Sequence, residues 1–111
     1  MRMVGTIALL AGISFYPQLS WANGFTGSKF GELEPAQQRI FMQDAMMMAV
    51  VVLTQTRPQV ARCVNDWYFK GEKRSERNAE IRSYISKHET VHPAGVVMAV
   101  IVKVCGPMDS D

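Results

Sequence analysis

The sequence predicts an all-α fold, a small bundle of about four helices stapled by one disulfide and preceded by a cleaved signal peptide. Three observations lead there. Pro35, Pro58 and Pro93 each head an apolar stretch, the position in a helix where a missing N–H costs nothing. Apolar residues such as Val60, Val64 and Trp67 recur at helical spacing. Two cysteines, Cys63 and Cys105, lie beyond an export-type leader, so they meet an oxidising compartment where an even pair closes into a disulfide.

The leader is read from its order. A basic start at Arg2 is followed by an apolar run from Val4 to Tyr16, then by Pro17, and then by small residues at Ser20 and Ala22 before a cut. An uncleaved anchor is the alternative, but Val4 to Tyr16 falls short of the ~20 residues that span a bilayer. The chain then divides into a signal peptide (1–22), a flexible lead-in (23–33), a single helical domain (34–107) and an acidic tail (108–111). A domain of this size buries only about 60% of its unfolded surface. Closing the loop between residues 63 and 105 would remove roughly 4 kcal/mol of unfolded-state entropy, a large share of the stability of so small a fold.

The lead-in carries three glycines together with Thr26 and Ser28. The first helix opens at Pro35, with Glu32 and Glu34 at its positive end, and runs to about Thr56. Ile40 and Phe41 are expected to turn inward. The second half, AMMMAVVVL, is apolar on every side and is expected to be buried on more than one. A buried strand over Val50–Leu53 is the alternative, as it is over Val96–Val104. Helix is favoured because nothing nearby resembles a hairpin turn or a partner strand. A second helix runs from Pro58 to Lys70, closed by Gly71, with Cys63 on its buried face. The third starts near Ser75 as N-cap and carries the stripe Ile81, Tyr84, Ile85, His88. The last opens at Pro93 and stops at Gly106-Pro107, with Cys105 in its final turn.

Charge excludes some functions. The 12 Lys and Arg become 11 once Arg2 leaves with the leader, against 10 Asp and Glu, a balance unsuited to nucleic acid or an anionic membrane. No CxxC is present, so a thiol oxidoreductase is disfavoured, and beyond the leader no segment is long enough to insert in a membrane.

Two constellations offer chemistry. In HETVH, His88 and His92 at i and i+4 would share a helix face and hold one zinc, with Glu89 as general base. Through His88, Glu89, His92 and Gly95, HETVHPAGVVM resembles the signature of the metzincin metallopeptidases, which implies a zinc-dependent hydrolase. Met98 stands where that signature has its third histidine, and a thioether suits zinc poorly. Pro93 also pushes His92 out of the α region. The competing reading makes His88 a half-buried helix end and His92 the cap of the next helix. The second constellation is Met42, Met46, Met47 and Met48, with Met98 and Met108, a set that reads as core, as an adaptable partner surface, or as soft ligands for Cu(I). In Trp67-Tyr68-Phe69, Tyr68 is the one expected to reach solvent.

The leading expectation is a small exported protein, periplasmic or secreted, that carries no cofactor and works by binding a protein partner. Met46, Met47, Met48 and Tyr68 are the candidate contacts, and a second copy of the chain is one form the partner can take. In size and cysteine count it is similar to disulfide-stapled periplasmic proteins such as acid-stress chaperones and toxin-neutralising immunity proteins. A zinc hydrolase, or a non-catalytic zinc protein, built on His88, Glu89 and His92 is the alternative.

Overall fold

The structure is a computed structural model and describes residues 24–108; the expected signal peptide and residues 109–111 of the tail lie outside them. Five α-helices follow one another, with no strand among the described residues: α1 (Gly27–Gly31), α2 (Pro35–Thr56), α3 (Pro58–Val64), α4 (Arg74–Ser86) and α5 (Pro93–Cys105). A π-helical segment, Asn65–Phe69, extends α3. Val50–Leu53 lies within α2 and Val96–Val104 within α5, so both apolar runs are helical.

Local chemistry sets the boundaries. Pro35, Pro58 and Pro93 occupy the first helical position of α2, α3 and α5. The Glu34 N–H donates to Gln37 Oε1 at 3.3 Å, which satisfies one open donor at the start of α2. Arg57, preceding Pro58, is held at φ −145°, ψ 75°, and this separates α2 from α3. Gly71 (φ 73°) turns the chain out of the π segment, and Gly106 (φ 94°) ends α5. The cap of α4 differs from expectation. Lys73 precedes the helix with no capping side chain, and Ser75 lies inside the first turn.

The core gathers one stripe from each long helix. Met42, Met46, Ala49 and Leu53 of α2 meet Val60 and Val64 of α3, Ile81 and Ile85 of α4, and Val97, Val100 and Ile101 of α5. Cys63 in α3 is bonded to Cys105, the last residue of α5, with Cα atoms 5.7 Å apart across 42 residues of chain. The bond therefore ties the last turn of α3 to the last turn of α5.

Of the expected flexible lead-in, 23–33, the described part, 24–33, instead carries α1 and two core residues, Phe25 and Phe30. Burying two aromatic rings outweighs the freedom of the glycines around them. Gly27 makes the docking possible. Its N–H donates to the Val91 carbonyl at 2.9 Å, and that of Ser28 donates to the Glu89 carbonyl at 3.0 Å. A Cβ at Gly27 would lie 2.7 Å from the His88 carbonyl oxygen, so only glycine permits this approach.

Candidate protein-binding face

The outer side of α2 corrects the expectation that this helix is buried on more than one side. Ile40, Met47, Met48, Val51 and Val52 are each between 50% and 62% exposed. Residues 40, 47, 48, 51 and 52 fall at i, i+7, i+8, i+11 and i+12, one side of a helix, so they form a ridge about 18 Å long. Ile40, expected inside, heads this ridge; Phe41 beside it is half-buried. Asp44 is the one charged residue between Ile40 and Thr56. A nearly uncharged apolar strip of this kind is a candidate interaction surface.

At its N-terminal end the ridge runs into a groove of about 520 Å³ that Ile40 and Asp44 share with Phe25, Leu33, Phe41 and His92. The Phe25 ring meets Phe41 edge-on at 5.5 Å between centroids and His92 at 5.4 Å, so packed aromatic rings form part of the groove wall. A convex apolar strip next to a recess offers a partner both area and a place to anchor a large side chain.

The four candidate contacts read from the sequence divide. Met47 and Met48 lie on the ridge, whereas Met46 is fully buried in the core. Tyr68 is also fully buried, against expectation. Its hydroxyl donates to Asn78 Oδ1 at 2.6 Å, and its ring packs edge-on against Phe69 at 4.7 Å. Asn78, itself buried, supplies the partner that water was expected to supply. Burial raises the Tyr68 pKa above its ordinary 10.0, against the lowering effect of Arg74, the Asn78 hydrogen bond and Arg82. Trp67 is half-buried, and Arg77 lies over its ring at 4.8 Å while its Nε donates to the Trp67 carbonyl.

HETVH does not form the helix that sharing one zinc between His88 and His92 requires. Helix α4 ends at Ser86, and the chain turns through residues 88–92. His88 is exposed rather than half-buried. His92 is extended at φ −64°, ψ 130°, and its Nδ1 accepts the Ala94 N–H at 3.1 Å as the N-cap of α5. Glu89, the general base of the alternative zinc reading, is exposed and contributes its backbone carbonyl to the seat of α1. Among the described residues no three His, Cys, Asp or Glu side chains are grouped closely enough to hold a metal. With Met42 and Met46 in the core and Met47 and Met48 outside, these methionines do not converge on one ion either.

Sequence reasoning missed Ile40, Val51 and Val52. A signal for them was present: removing the buried set Met42, Met46, Ala49, Leu53 from α2 leaves a second apolar set at helical spacing.

Fold and face together define, among the described residues, a small disulfide-stapled all-α protein with an exposed apolar ridge on α2, and no described helix is long and apolar enough to cross a membrane. No protein-family model matches the sequence, and no curated protein or solved structure is found similar to it.

Proposed function

We propose that this is an exported protein, periplasmic or secreted, that acts by binding a protein partner, as a chaperone-like or inhibitory module. The ridge Ile40, Met47, Met48, Val51, Val52 and its adjoining groove form the contact surface. The observation that carries this reading is that five large apolar side chains stand half or more exposed along one side of the longest helix. Export is supported by the leader pattern over 1–22 and by the Cys63–Cys105 bond. Unbranched methionines adapt their shape to different surfaces, which suits a binder of varied or partly unfolded chains.

The test pairs the oxidised wild type with Met48→Lys/Val51→Lys. Both sites are exposed, so the melting temperature should hold within a few degrees. Wild type should suppress light scattering from an aggregating reporter at near-equimolar ratio, and the double variant should need at least about tenfold more. Sedimentation of both proteins reports whether the ridge takes a second copy instead. A wild type that is monomeric and inert towards the reporter, or a double variant that matches it, would sink the reading.

A further inference from the structure

A second recess lies between α4 and α5 and shares no residue with the ridge: an open groove of about 280 Å³ with an almost wholly apolar lining. Val91, Val96 and Val100 supply the apolar walls. Gly95 and Ala99, one turn apart on α5, are small and leave room where larger side chains would close it. At about 30 Å³ for each water displaced, the groove takes a ligand of about ten non-hydrogen atoms.

Its polar side chains are three: Lys103, Tyr84 and His88. Lys103 Nζ donates a hydrogen bond to the Tyr84 hydroxyl and lies 4.8 Å from the centre of that ring. A phenol that accepts from an ammonium keeps its own proton to donate elsewhere, and the ammonium keeps two further N–H groups. Both donors therefore lie side by side in the lining of the groove. Lys87 lies 5.9 Å from the Tyr84 ring and adds a second positive charge. Neither Lys87 nor Lys103 is ion-paired with a carboxylate among the described residues. An apolar slot with a few placed polar groups is the ordinary form of a small-ligand site.

We infer that this groove binds a medium-chain alkyl carboxylate, its tail along Val91, Val96 and Val100 and its head between Lys103 Nζ and the Tyr84 hydroxyl. One carboxylate offers two oxygens to two charge-assisted or polar donors, and eight carbons with that head fill the available volume. The same chemistry, a carboxylate on a short apolar tail, is also presented by a peptide ending in an apolar residue. The inference stands apart from the partner-binding reading and survives its failure.

The test uses the oxidised protein titrated with sodium octanoate, 1-octanol and N-acetyl-leucine, followed by amide NMR shifts. Octanoate should bind saturably, with shifts concentrated over residues 84–103, and octanol should bind about tenfold more weakly. Lys103→Met, which keeps the stem and removes the charge, should weaken octanoate about tenfold and leave octanol unchanged. Ala99→Phe should abolish both, and both sites are exposed, so circular dichroism should match wild type. Tighter binding of N-acetyl-leucine than of octanoate at the same residues assigns the carboxylate to a peptide end. Shifts that fall on the α2 ridge instead, the absence of saturation, or a Lys103→Met titration equal to wild type would overturn the site.

Discussion

Met46 and Met47 are adjacent in the chain and identical in chemistry, yet one is 0% exposed and the other 50%. The same contrast runs the length of α2. Its inner side, Met42, Met46, Ala49 and Leu53, is buried in the core with the other helices, while its outer side, Ile40, Met47, Met48, Val51 and Val52, is about as apolar and stands half or more exposed. Hydrophobicity therefore does not decide which side of this helix is inside. The decision belongs to the helices that pack against it, and among the described residues these cover one side. An apolar side that folding leaves uncovered is the natural place for a partner.

The contrast can be broken most forcefully at Met46. Met46→Ala should cost about 2–5 kcal/mol through lost burial and a residual cavity, whereas Met48→Ala should change stability by no more than about 0.5 kcal/mol. Chemical denaturation of both variants checks this, and equal losses would dissolve the distinction between the two sides.

Tyr68 extends the comparison to a polar side chain that the sequence places outside and the structure places inside. Tyr68→Phe leaves the Asn78 Oδ1 without its donor and should cost about 1–3 kcal/mol. The raised pKa adds a pH signature. The native state favours the protonated phenol, so the Tyr68 contribution is complete below the unfolded value near 10.0 and is lost as pH rises through the higher folded value. Wild type should therefore lose stability above about pH 10 more steeply than Tyr68→Phe. Parallel denaturation curves for the two proteins in alkali would show that the hydroxyl is not buried as described.

The smallest effect belongs to His92, which the sequence offered as a helix cap or, alternatively, as a zinc ligand, and which the structure uses as a cap. His92→Ala should cost about 1 kcal/mol, and added zinc should shift the melting temperature of neither protein. A zinc-dependent stabilisation present in wild type and absent in the variant would return HETVH to metal chemistry.

Much of the fold was legible because it rests on local rules. A proline at the first helical position, a glycine where φ must be positive and a single pair of cysteines each act over a few residues or through one covalent bond. They located α2, α3 and α5 and the Cys63–Cys105 staple. The candidate site was only half legible. Met47 and Met48 were named, but so were Met46 and Tyr68, because nothing local separates a buried methionine from its exposed neighbour or reveals that Asn78 waits ten residues along to receive a buried hydroxyl.

The sequence by itself determined that the chain is helical, where three of its helices begin, and which cysteines meet. These follow from backbone sterics and covalent chemistry that the residues carry with them. Only the tertiary structure decided that Phe25 and Phe30 anchor a glycine-rich segment, that the HETVH turn serves as a seat for Gly27, and which of the two apolar sides of α2 remains uncovered. Those outcomes depend on which surfaces meet across the fold, and a pattern within one segment does not contain the shape of its neighbours.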